Sequence, residues 1–298
     1  MRTAAILVAS TLLLTGCAAT TANTGSHTLS IVASTDVWGD IAKQIAGNTV
    51  TITSIISDPS QDPHSYQGDA RVQLALSKAD VVIENGGGYD DFVDTMLKGA
   101  SNPHVKLLNA VAISGVTEDP TIHDVNEHVW YDFPAVQKVA AKLTATLSAL
   151  DASKASEFAA NEKTFDAALA TLESSESHLK TTASGTGAAI TEPVPLYLLE
   201  ACGLVDRTPP AFSKAIEQGT DVAPLVLQQT LTLFTDHAVK LLAYNEQTSS
   251  PETQQVLAAA KAAGVAVVPV TETLPAGKHY LGWMTDNLAA VAAAVGAK

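Results

Sequence analysis

Short apolar runs alternate with amphipathic stretches along the first hundred residues. "LSIVAS" (29–34), "TVTITSIIS" (49–57), "ADVVIENG" (79–86) and "VKLLNAV" (105–111) have the length and β-branched content of strands. Between them, "DVWGDIAKQIAG" (36–47), residues 70–78 and "YDDFVDTML" (89–97) carry helical spacing. Asp36 is placed to cap the first of these helices and Gly47 to end it. Strands alternating with helices predict βαβ units and a mainly parallel sheet. From Ala135 to Ser184 there is neither Gly nor Pro, which predicts two helices broken near "LDASKAS", with Asp151 or Ser153 capping the second. The α/β pattern then returns: strands in "TGAAITE" (186–192), "VKLLAYNE" (239–246) and "VAVVPVTE" (265–272), and helices in "VPLYLLEACGL" (194–204), "SPETQQVLAAAKAAG" (250–264) and the C-terminal "LGWMTDNLAAVAAAVGAK". No strong sequence repeat relates the halves; they share a pattern.

The pattern therefore predicts an α/β protein of two lobes, each a mainly parallel sheet flanked by helices, joined by a long connecting helix. The expected boundaries are 29–152 for the first lobe, 153–182 for the connector and 183–298 for the second. With 298 residues, 46% of them hydrophobic, each lobe can bury a core. The formal net charge is -14, from 31 acidic against 17 basic residues. No Lys/Arg cluster is present, so a nucleic-acid partner is not expected. Aromatic residues make up only 5%, with Trp38, Trp130 and Trp283 scattered, which gives thin support for a cleft that binds an organic solute.

The N-terminus adds a compartment. "MRTAAILVASTLLLTGC" has one Arg, a short apolar run and small residues, the form of a secretory signal peptide over 1–17. Leu14-Thr15-Gly16-Cys17 resembles a bacterial lipobox, which implies lipidation of Cys17 and an extracytoplasmic protein anchored to the cell membrane. Residues 18–28 are small and polar, as a tether would be. Cys202 is then the only other thiol, so no internal disulfide is expected, and its apolar surroundings suit a buried small side chain.

Ligands of open α/β sheets sit beyond the carboxyl ends of the strands. His64 follows the second strand, His128 precedes the first long helix, and Glu192 and Glu272 end strands of the second half. Two imidazoles and two carboxylates make a four-ligand set for a divalent cation. Taken alone, these residues also admit bland roles: helix entry for the glutamates, packing beside Trp130 for His128, an exposed loop for His64. His104, His178 and His237 read as exposed histidines, and Asp132 as an N-cap. Asp286 is an alternative to Glu272.

The surrounding motifs carry a resemblance. "DPHSYQ" (62–67), "EHVWYDFP" (127–134), "TEPVPLYLLEACGL" (191–204) and "VTETLP" (270–275) resemble, in order, four motifs of the zinc/manganese substrate-binding lipoproteins of ABC importers, the group with a rigid interlobe helix. The resemblance implies that His64, His128, Glu192 and Glu272 hold transported Zn²⁺ or Mn²⁺, and that a membrane permease of an ABC importer receives it from a monomeric binding protein. Gln67, Glu127 and Tyr131 depart from the family's Glu, Pro and Leu at positions that are not ligands. The His-rich loop of many zinc-specific relatives is reduced here to His123 in "TEDPTIHDVNEH". Glu at the third ligand position resembles the manganese-type members. The competing expectations are a metalloenzyme with a His₂-carboxylate site, against which stands the lack of H-E-x-x-H, G-x-S-x-G or Walker-type loops, and an adhesin that metal merely stabilises. "NGGGYDD" (85–91) lacks the lysine and spacing of a phosphate loop and reads as a glycine turn.

Overall fold

The structure, a computed structural model, describes residues 28–117 and 125–297. The signal segment, Cys17, most of the tether and His123 lie outside them. The first half runs β1 (Ser30–Thr35), α1 (Asp36–Ala46), β2 (Thr51–Ile56), α2 (Ala70–Lys78), β3 (Val81–Glu84), α3 (Phe92–Ala100), β4 (Lys106–Asn109) and α4 (Ala110–Ser114). A 3₁₀ turn at Val129–Tyr131 then leads into α5 (Phe133–Leu150) and α6 (Ala155–Ala183). The second half runs β5 (Gly187–Ile190), α7 (Leu196–Ala201), β6 (Val205–Asp206), α8 (Pro210–Glu217), α9 (Pro224–Thr235), β7 (Leu241–Asn245), α10 (Pro251–Ala262), β8 (Ala266–Val270) and α11 (Tyr280–Val295).

Two four-stranded sheets result, ordered β2-β1-β3-β4 and β6-β5-β7-β8, and every pairing is parallel. Parallel sheets are covered on both faces, which is why β3, β5 and β7 are buried at every position rather than alternately. The two sheets thus repeat one topology, although the sequence shows only a shared pattern.

One apolar cluster runs through both halves. Trp38 and Ile41 of α1, Phe133 and Leu143 of α5, Phe158, Phe165 and Leu169 of α6, and Tyr280 and Trp283 of α11 all belong to it. At 1.5 Å per residue the 29-residue α6 is about 43 Å long. Packed along its length, it acts as a stiff spine. Separate clusters cover the outer faces of the two sheets.

Local signals hold with two differences. Ser250 forms a full capping box with Thr253, Pro251 opens α10, and Gly47 ends α1 at φ 63°. Asp36, however, is the first helical residue rather than the cap, and its carboxylate accepts from the backbone N–H of Leu274 in the other half. At the helix break, Asp151 accepts from the backbone and hydroxyl of Ser153, which closes a turn, while Lys154 holds the cap position of α6. In both places a longer-range or tighter local hydrogen bond takes the acid away from the helix end. Cys202 is buried and unpaired.

Candidate metal centre

The loops after the strands of both sheets face one cleft. Its cavity of about 640 Å³ is lined by His64 and Glu127 from the first half and Glu192, Glu217 and Glu272 from the second, with Lys214 also on its wall. Each of these side chains is aimed by a local device.

His64 sits in the loop that follows β2. Asp62 makes it, accepting from the His64 backbone N–H at 2.9 Å and from the Ser65 hydroxyl at 2.9 Å, a side-chain turn of the kind aspartate favours. The imidazole edge meets the Tyr89 ring with centroids 5.1 Å apart. Tyr89 itself is held by the glycine turn, in which Gly86, Gly87 and Gly88 take φ of 78°, 71° and 95°. Asp90 pins that turn by accepting from the Asn85 and Gly86 backbone N–H groups.

His128 is fully buried against Trp130, ring centroids 5.1 Å apart. Asn126 Oδ1 lies 2.7 Å from His128 Nδ1 and also accepts from the His128 backbone N–H. Because that oxygen is already an acceptor, Nδ1 carries the hydrogen and Nε2 presents its lone pair. This is the arrangement by which an outer hydrogen bond orients a metal-binding imidazole. His128 Nε2 is buried and has no hydrogen-bond partner. Burial pushes the His128 pKa down to about 4, so the ring is neutral at pH 7.

Glu192 and Glu272 stand two residues beyond β5 and β8 and are 4% and 8% exposed. Asn245 at the end of β7 donates to Glu272 Oε1 at 2.8 Å, and Gln247 accepts from the Glu272 backbone. Glu192 Oε2 is buried without a partner. Burial first, then the charges of Glu217 and Glu272, push Glu192 up to about 9; burial first, then Glu217, pushes Glu272 up to about 7. Carboxyls so raised in the absence of a cation are carboxyls a cation would ionise.

Sequence reasoning missed Glu217, the last residue of α8. Its Oε1 lies 3.2 Å from His64 Nε2 and 3.5 Å from His128 Nε2. It also underrated Glu127: the residue read as a neutral departure puts Oε1 3.7 Å from His64 Nε2. The ligand atoms of His64, Glu127 and Glu217 all lie within 4.8 Å of one another. Burial acts to lower the His64 pKa, but Glu217 and then Glu127 and Glu272 outweigh it, and His64 rises to about 9. Burial likewise opposes ionisation of Glu217, and the imidazoles beside it reverse the sign. With His128 held neutral, the positive charge it faces is that of His64. Asp286 pairs with Lys278 at 2.6 Å on the surface and does not line the cleft. His104, His178 and His237 are exposed.

Hydrogen bonds cross the cleft mouth and its floor. Gln247 donates to the Pro59 carbonyl, Asn126 to the Pro193 carbonyl, Tyr197 to the Asn126 carbonyl and Tyr131 to the Thr271 carbonyl. The His128 segment is therefore joined to the loops of Glu192 and Glu272, and the His64 loop to Gln247, which also accepts from the Glu272 backbone.

A family model described as "Zinc-uptake complex component A periplasmic" matches residues 31–294. The manganese-binding lipoprotein MntA of Bacillus subtilis (strain 168) is 30% identical over 141 residues, 44% of this chain and 43% of that protein. The metal ABC transporter substrate-binding lipoprotein SloC of Streptococcus mutans is 29% identical over 167 residues, 51% of this chain and 52% of its own. The chain thus spans about half the length of these relatives or less. The solved periplasmic zinc-binding protein TroA from Treponema pallidum superposes with a TM-score of 0.76 at 17% identity, over 91% of this chain and 99% of that one, and so shares the fold.

Proposed function

Because the chain belongs to the zinc-uptake complex component A family, we propose that it captures a divalent transition-metal ion, Zn²⁺ or Mn²⁺, outside the cytoplasm and delivers it to the permease of an ABC importer. The ion is held in the cleft by His64, His128, Glu192 and Glu272. Lipid on Cys17 anchors the protein to the membrane and residues 18–28 are its tether; the folded part works as a monomer. No helix among the described residues is long and apolar enough to cross a membrane. The role is binding rather than catalysis.

The observation that carries this reading is His128 Nε2: buried, without a hydrogen-bond partner, its tautomer set by Asn126, and 3.5 Å from Oε1 of the cleft-lining Glu217. A buried polar atom without a partner costs stability, and a cation supplies the partner. A cation also ionises Glu192 and Glu272 and offsets their charge, so burial of the charges is compensated. Joining donors from both halves, it favours the closed arrangement in proportion to its tighter binding there. The α6 spine limits the accompanying motion to a small tilt.

A thermal-unfolding titration tests the reading. At about 100 times its dissociation constant, a ligand stabilises the folded chain by about 2.7 kcal/mol. Zn²⁺ or Mn²⁺ should raise the midpoint of the chelator-stripped chain, and Glu192→Ala should lose most of that response. No shift with either metal would refute the assignment.

A further inference from the structure

Glu217 is named neither by the strand-end reading nor by the motifs of the resemblance, yet its Oε1 lies within 3.5 Å of Nε2 of both imidazoles. Two donors about 2.1 Å from one ion are about 3.0 Å apart at right angles and about 3.4 Å apart at the tetrahedral angle. The separations of Glu217 Oε1 from His64 Nε2 and His128 Nε2 are 3.2 and 3.5 Å, the first inside that range and the second about 0.1 Å beyond it. Glu127 at 3.7 Å falls further outside it.

We propose that Glu217 is a fifth protein ligand of the transported cation, through Oε1, and that it tilts the site toward Mn²⁺ relative to Zn²⁺. The proposal rests on the assignment of His64, His128, Glu192 and Glu272 made above. A second observation points the same way: His128 Nε2, completely buried, has no hydrogen-bond partner, and neither has Glu217 Oε2. Both atoms are thus left with bonding capacity beside the one oxygen, Glu217 Oε1, that reaches both imidazoles. Glu217 closes α8 at the end where the helix dipole is negative, so a cation there would also offset that repulsion. Glu217 is firmly placed, since Phe212 and Ile216 of the same helix are buried in the second half's outer cluster. Five donors, three of them carboxylates, exceed the four of a tetrahedral zinc site and suit the oxygen-rich shell of Mn²⁺.

The test measures dissociation constants for Mn²⁺ and for Zn²⁺ on the full chain as wild type, Glu217→Ala, Glu217→Gln and His128→Ala, with X-ray absorption on the Mn²⁺-loaded forms. Even an outer-sphere partner of a metal site is worth roughly tenfold to 100-fold in affinity. Glu217→Ala should therefore weaken Mn²⁺ by at least about tenfold, weaken Zn²⁺ by clearly less, and remove one oxygen from the Mn²⁺ shell. Glu217→Gln, which keeps a carbonyl oxygen and the side-chain volume, should fall between and guards against misfolding of the alanine variant. If His128→Ala abolishes binding while both Glu217 variants bind as wild type or tighter, Glu217 is no ligand and the four-residue site stands. Equal losses for the two metals would overturn the claimed preference. If His128→Ala binds both metals as wild type, the site assignment itself fails and the proposal falls with it.

Discussion

The two halves share one strand order and bring opposite chemistry to the cleft. In the first, the segment after β2 carries His64; in the second, the segment after β6, the strand in the matching place, carries Glu217. The central strands end alike as well. Asn85 directly follows β3 and Asn245 ends β7. Asn85 donates to the Glu127 carbonyl and so braces the loop of His128, whereas Asn245 donates to the Glu272 carboxylate itself. One scaffold thus places both imidazoles on one side and three of the four cleft glutamates on the other. A site divided in this way makes occupancy a contact between halves, the property a loaded-state signal needs.

That division can be attacked first through protons. Glu192 and His64, both raised to about 9, hold protons at pH 7 that a cation must displace. Apparent affinity for Mn²⁺ should therefore rise as pH increases from 6 to 9, by up to about tenfold per pH unit for each proton released. Titration calorimetry in buffers of different ionisation heat reads the proton count directly. A flat profile would mean the raised groups do not touch the ion.

The paired asparagines sharpen the comparison further. Asn245→Ala removes the brace of a proposed ligand and should weaken metal binding by roughly tenfold to 100-fold. Asn85→Ala removes buried hydrogen bonds to Trp38 and to the Glu127 carbonyl and should cost about 1–3 kcal/mol of stability, with a smaller effect on affinity. Denaturant unfolding and metal titration of both variants would show the crossed pattern. Equal effects on affinity would erase the distinction between the two braces.

An effect on stability alone concerns the spine between the halves. Glu176 on α6 is pushed up to about 8, chiefly by burial and then by Glu173 and Asp132. A carboxyl whose folded pKa exceeds its unfolded value favours the fold below the unfolded pKa. That advantage is lost as pH rises toward the folded one. Glu176→Gln should match the parent near pH 4.5 and gain on it up to pH 8, by at most about 1.4 kcal/mol per pH unit. A constant gap across that range would show that Glu176 does not titrate with folding.

Much of this was readable from the chain because parallel strands, buried on both faces, appear as short continuous apolar runs. Glu192 and Glu272 were reached by position, two residues past such runs, and both line the cleft. Glu217 was not, for a physical reason: β6 is only Val205–Asp206, too short to register as a run, so the strand-end rule had nothing to start from. The signal that could have found it is "RTPPAFSKAIEQG" (207–219), where Pro210 opens a short helix and Gly219 follows its end. Glu127 was passed over because it was weighed as a replacement for proline rather than as a carboxylate beside a histidine. The two misplaced helix caps, Asp36 and Asp151, have partners that spacing alone does not reveal.

The most direct test of the divided site is anomalous diffraction from crystals of the chain grown with Mn²⁺ or Zn²⁺. The ion should lie about 2.0–2.2 Å from His64 Nε2, His128 Nε2 and carboxylate oxygens of Glu192 and Glu272, with donors from both halves on one centre. An ion held by one half alone, or outside this cleft, would contradict the account.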